Sequence, residues 1–158
     1  MTMIPFKSTL PNGAAHVRAL MAAEARVRLV TNQHMPDYSC EFELIGTSLN
    51  VLYQAATCER LCRGGGHFFE RLCGRAYNVG QAALSLAMNG LYDEALSLVR
   101  GLGEISNLIA LSAVDQGVAQ EWIRSDENVR RRKFSPIEVR RRLERIDPGL
   151  MLADKEWY

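Results

Sequence analysis

The residues best suited to chemistry fall in one short stretch, CERLCRGGGHFFERLC, residues 58–73. Its donors run Cys58-x3-Cys62-x4-His67-x5-Cys73, one residue longer at two gaps than a small zinc-binding knuckle. A thiolate–imidazole zinc centre needs four donors converging on a tetrahedron, usually from tight turns. Cys58 and Cys62 stand instead four apart on an expected helix, where they share a face. Cys73 shares a helical face with Phe69, Leu72 and Ala76, which directs it to the core, a common place for cysteine. The spacing therefore reads as core cysteines, with no metal and no cofactor. Gly64-Gly65-Gly66 reads as a chain reversal between two helices.

A second set lies on two helical stripes. Arg100, Glu104 and Asn107 align with Asp93 and Ser97, while Asn78 and Gln81 align with Arg71, Arg75 and Ser85. Amides and hydroxyls dominate, whereas a fully solvated face normally carries more charge. Arg100 and Glu104, four apart, can pair. Gly101 and Gly103 each cost about 1 kcal/mol of helix propensity relative to Ala, which suits a backbone that something approaches closely. Three readings stay open for Arg100, Glu104, Asn107, Asn78 and Gln81: a solvated face, a buried network or self-association surface, and a ligand pocket. No catalytic residue is assigned.

The third set is basic. Residues 124–147 hold nine Arg or Lys against five acids, a local +4 in a chain of net +1. Arg130, Arg131, Arg132, Arg140 and Arg141 form the candidate basic surface. Arginine suits bidentate phosphate contacts and RNA. The alternative is a solvated helix whose charges pair with the acids interleaved along it. Only Phe134 interrupts the arginines, so no stacking platform for single strands is evident.

The elements that must carry these residues are helical. Apolar spacing predicts helices from about Ala14 to Val30, from Phe42 or Gly46 to Cys62, from Phe68 to Met88 and from Tyr92 to Val114. The segment TNQHMPDYSCEF reads as a loop around Pro36. Asn89-Gly90 supplies a helix stop, and the short connection makes the third and fourth helices an antiparallel hairpin. A short helix around Val118–Arg124 follows. Then Ser135, Pro136 and Glu138 spell a capping box and helix start. The expected architecture is all-α: one domain over residues 1–158, a bundle of five or six helices around a central hairpin. Residues 1–13 are expected as an arm, and 147–158 as a loosely packed tail or the opening of a further helix.

Bulk composition narrows the class. The 158 residues are 47% hydrophobic and 23% charged, globular values. A net charge of +1 argues against a chain-wide electrostatic nucleic-acid binder. No secretory leader or membrane-length apolar run is evident, and four cysteines without a leader suit reduced thiols. The expected setting is soluble and cytoplasmic.

The hairpin also supports a resemblance. YNVGQAALSLAMNGLYDEALSLVRGLGEISNLIAL, then EWIRS and RKFSPIEVRRRLE, resembles a group of uncharacterised bacterial all-helical proteins similar in plan to HEPN domains. Gly90, Tyr92, Arg100, Glu104, Ser135, Pro136, Glu138 and Arg140 carry it, within residues 75–146. HEPN domains are often dimeric, and many are metal-independent ribonucleases of toxin–antitoxin and antiphage systems. The resemblance implies a homodimer in a mobile-element or defence setting. Catalytic HEPN domains place Arg, four to six residues, then His late in the fold, and the late helices here hold no His. Arg28-x5-His34 and Arg60-x6-His67 fit the spacing but lie early. The group continues with a further His-bearing helix, which a chain ending at Tyr158 lacks. The leading expectation is thus a non-enzymatic helical module that self-associates through the hairpin of the third and fourth helices. A HEPN-like ribonuclease using Arg100 and Glu104, or a module binding RNA, a small ligand or a protein partner, are the alternatives.

Overall fold

The computed structural model describes residues 12–59 and 65–150, and every regular element within them is helical. The order is α1 (Gly13–His34), a 3-10 turn (Met35–Tyr38), α2 (Ser39–Ala56), a 3-10 turn (Gly65–His67), α3 (Phe68–Met88), α4 (Tyr92–Val114), α5 (Gly117–Arg124), α6 (Glu127–Lys133), α7 (Pro136–Ile146) and a last 3-10 turn (Pro148–Leu150). The all-α class and the pairwise helix packing expected from the sequence are present. The seven-residue α6 is an addition, built where Asp126 caps its start by accepting from the Val129 amide at 2.9 Å.

The hairpin of α3 and α4 is the central packing unit. α3 ends as its sequence dictates: Gly90 takes φ +83°, its amide donates to Ala87 O, and the Leu91 amide donates to Leu86 O. This pair of bonds is a Schellman cap, which needs a left-handed residue where Gly90 stands. Gly90 has a second reason to lack a side chain. A β-carbon there would fall 2.8 Å from Val27 Cγ1 of α1.

The buried cluster lies at the other end of the hairpin. Phe68 and Leu72 from the start of α3, Leu108 and Leu111 from the end of α4, Val118 of α5, Phe134, and Val139 and Leu143 of α7 form it. Trp122 stands between two rings, its centroid 5.7 Å from Phe68 and 5.0 Å from Phe134. At the Gly90 end little is buried. α1 and α2 bury no residue at all. α1 meets the hairpin at Val27 and through Arg28 Nε, which donates to Asn89 Oδ1 at 3.0 Å.

Several local expectations change. The segment around Pro36 is not a loop: α1 runs to His34, a 3-10 turn follows, and α2 begins at Ser39. Pro36 lies in the first turn of that 3-10 segment, where a missing amide proton costs nothing. α2 stops at Ala56, well before the glycines, with the Thr57 hydroxyl donating to Tyr53 O at 3.0 Å. Ser135 precedes α7 as expected, but its hydroxyl donates back to Arg132 O and Glu138 pairs with Arg141, so the capping box does not close. Leu150 packs against the core, which ties down residues 147–150. Residues 1–11 and 151–158, expected as arm and tail, lie outside the described residues.

Two outcomes test this uneven packing. Gly90→Ala should lower stability by at least about 1–2 kcal/mol, the cost of a left-handed non-glycine residue, with the Val27 clash adding to it. Leu143→Ala, at a fully buried position, should cost about 2–5 kcal/mol in urea unfolding.

Candidate functional site

The five residues of the polar stripe do not share one environment. Asn107 is 1% exposed and belongs to the interior. Glu104 is half-buried, whereas Arg100, Asn78 and Gln81 are exposed. Gln81 lines a shallow hollow with Arg28, Asn32 and Ser85, while Arg100 lines another with Leu96, Ser97 and Val99. Among the described residues nothing outside its own helix backbone comes within 4 Å of a β-carbon placed on Gly101, so no close approach among them explains that glycine. Arg28 and His34, which fit the Arg–His spacing, serve different partners: Arg28 bonds Asn89, and His34 Nδ1 lies 3.4 Å from Asp37 Oδ2. Arg60 lies outside the described residues.

Much of the basic segment is engaged inside the fold. Arg130 Nε donates to Trp122 O at 3.0 Å, and its guanidinium lies 5.6 Å from the Trp122 ring centroid. Arg131 pairs with Glu127 and Arg141 with Glu138, both within one helix. Arg132 is exposed and Arg140 half-buried.

The decisive cation is one the spacing did not single out. Arg142 reaches Asp115 Oδ2 at 2.9 Å and Glu121 Oε2 at 3.1 Å, and lies 5.6 Å from the Phe134 ring centroid. Lys133 Nζ meets Glu121 Oε1 at 2.7 Å. These contacts clamp α7 and the end of α6 onto α5. Their separations of 27, 21 and 12 residues are why a local pattern of charges could not reveal them.

The cysteine–histidine stretch divides in two. Cys73 is 2% exposed, as expected for a core cysteine, and burial pushes its thiol pKa up, with the Glu70 carboxylate adding to the shift. Cys58 does not lie on α2. It follows the helix with φ +60°, and its Sγ lies 3.8 Å from Nδ1 of His67, itself at φ +56°. Glu70, 4% exposed on the first turn of α3, completes a group of three donors within 4.8 Å of one another. These three residues could hold a metal ion. Glu70 escaped the sequence reading because a Glu among FFERL carries no signal of burial. Cys62 lies outside the described residues.

Another feature is apolar. α2 and α4 wall a groove of about 590 Å³ floored by α3, where Gly80, Ala83 and Ala87 leave room and Leu44, Leu96 and Val99 stand at the rim. A second hollow of about 630 Å³ beside α1 and the 3-10 turn shares Ile45, Leu84, Ala87 and Tyr92 with it. The two hollows adjoin through these shared residues, and Thr31, His34 and Glu41 add polar groups to the second. Its residues were legible as helix stripes, but those stripes read as core-facing. Among the described residues no helix is long and apolar enough to cross a membrane.

The Arg142 clamp has a pH signature. Hydrogen bonding to Lys133 holds the Glu121 carboxyl below its ordinary value of 4.5, and Arg142 adds to the effect. Folded Glu121 binds its proton less tightly than unfolded Glu121. The stability it contributes is therefore complete above the ordinary value and is lost as pH falls through the lowered folded value. Glu121→Gln should destabilise the protein at pH 7, and the deficit should shrink towards zero as unfolding is measured at progressively lower pH below 4.5.

No protein-family model matches the chain, and neither a curated protein nor a solved structure matches it, so function rests on the side chains described above.

Proposed function

We propose that this chain is a self-associating helical module, a scaffold rather than an enzyme, whose two copies meet through the face made by α2, α4 and the adjoining side of α1. The observation that carries this reading is the apolar groove between α2 and α4 and its continuation beside α1. Leu44 and Leu96 on its rim are 67% and 65% exposed. Val17, Leu20 and Met21 on α1 are likewise more than half exposed. Soluble monomers rarely present contiguous apolar surface on this scale, and such surface marks an interaction site.

The chemistry of the face favours a protein occupant over a small ligand. Ligand cavities combine apolar walls with a few convergent polar groups that fix orientation. Ser48 and the Tyr92 hydroxyl are the main side-chain polar groups on this groove. The two hollows also run together over a length that suits a helix. A second copy is the occupant this reading commits to. A two-fold dimer presents the same patch on both partners, so a mainly apolar groove complements itself. α1, which buries no residue within its own chain, would gain the packing that most helices need for stability.

Sedimentation equilibrium or light scattering after size exclusion should give twice the chain mass of 17.7 kDa. Leu44→Glu and Leu96→Glu should each weaken the dimer by at least about tenfold, since a carboxylate would have to enter an apolar interface. Circular dichroism of the resulting monomers should keep its helical signature. A wild-type chain that stays monomeric at hundreds of micromolar ends this reading.

A further inference from the structure

Away from the apolar face, the junction of α2 and α3 carries chemistry that self-association does not use. We propose that Cys58, His67 and Glu70 form a binding site for one divalent cation of borderline softness, best suited to Zn²⁺. The three donors differ in kind: a thiol, an imidazole and a carboxylate. Hard ions such as Mg²⁺ and Ca²⁺ take oxygen ligands, whereas a thiolate beside an imidazole selects zinc and its neighbours.

The geometry fits the ion. Tetrahedral Zn²⁺ with Zn–S of about 2.3 Å and Zn–N of about 2.0–2.1 Å sets sulfur and nitrogen about 3.6 Å apart. Cys58 Sγ and His67 Nδ1 stand 3.8 Å apart. All three donor atoms lie within 4.8 Å of one another, so small side-chain rotations bring them onto one centre. They account for three of four tetrahedral positions.

The backbone supports the same conclusion independently. Cys58 and His67 both hold positive φ, a region that non-glycine residues rarely enter. Such positions are strained and gather at ligand clamps. Here the two strained residues are the two residues whose side chains meet. Each is fixed by a helix end: Thr57 caps α2 immediately before Cys58, and His67 immediately precedes α3. Glu70 stands on the first turn of α3, a rigid base for the third donor. Burial is graded from Glu70 at the bottom through half-buried Cys58 to exposed His67, which provides an entry path from solvent. A carboxylate at that depth interacts strongly with a nearby cation, because little water screens it.

The test uses the full-length chain, stripped with chelator and dialysed against ZnCl₂, then against Co²⁺ as a spectroscopic probe. One equivalent of zinc should remain, with a rise in Tm. Co²⁺ should give a thiolate-to-metal charge-transfer band. Cys58→Ser should abolish the band, and Cys58→Ser or His67→Ala should weaken zinc binding more than about 100-fold, beyond the 10–100-fold lost with outer partners of a metal site. Both positions are outside the core cluster, so these variants should keep the wild-type helical signal. Cys40→Ser, at an exposed cysteine on α2, should change nothing. Leu44→Glu should retain full metal binding, which separates this proposal from self-association. Wild-type protein that keeps well under one equivalent, or a band that survives in Cys58→Ser, overturns it.

Discussion

The packing of α3 against α4 is the constraint on which the rest of this structure depends. A three-residue connection with Gly90 at positive φ brings two long apolar stripes together, and α1, α2, α5 and α7 each pack against one of that pair. The end of the hairpin away from Gly90 is closed. There α5 and α7 fold back over Leu108 and Leu111, and Trp122 fills the space between Phe68 and Phe134. Arg142 then fixes the closure by joining Asp115 and Glu121 across the seam. A guanidinium suits this role because its fork can satisfy two carboxylates while its face rests near an aromatic ring.

The Gly90 end is built from the same kind of sequence and remains open. α2 lays its apolar side beside α3, but among the described residues no further helix covers the groove between α2 and α4. The contrast is one of supply. α5 and α7 follow α4 and cover its far end, whereas near the turn α1 meets the hairpin at Val27 and Arg28. Apolar side chains of α1 and α2, such as Leu20 and Leu44, thus stay exposed among the described residues, which gives the proposed self-association its physical basis.

Local signals in the sequence were strong wherever one residue type has one backbone consequence. Asn89-Gly90 placed the end of α3, and the periodicity after it placed α4 from Tyr92 to Val114. The signals misled where a residue has two uses. Pro36 suits a loop but occupies a first turn, and Ser135 with Glu138 spell a capping box whose members bond elsewhere. The apolar stripes of α1 and α2 were visible as stripes, but periodicity reports only that a face is apolar. It does not say whether this chain covers it.

The sequence by itself determined the class: helical periodicity and scarce strand signals force an all-α chain, and the glycine turn forces its hairpin. Tertiary structure decided everything that depends on residues far apart. It set Arg142 against Asp115, buried Asn107, left Arg100 and Gln81 lining separate hollows, and gathered Cys58, His67 and Glu70 into one group. The opening stretch shows why. The spacing of Cys58 and Cys62 predicts one shared helical face, yet α2 stops at Ala56, and the left-handed residues Cys58 and His67 bring their side chains towards each other. Spacing fixes which faces residues share only while the helix lasts.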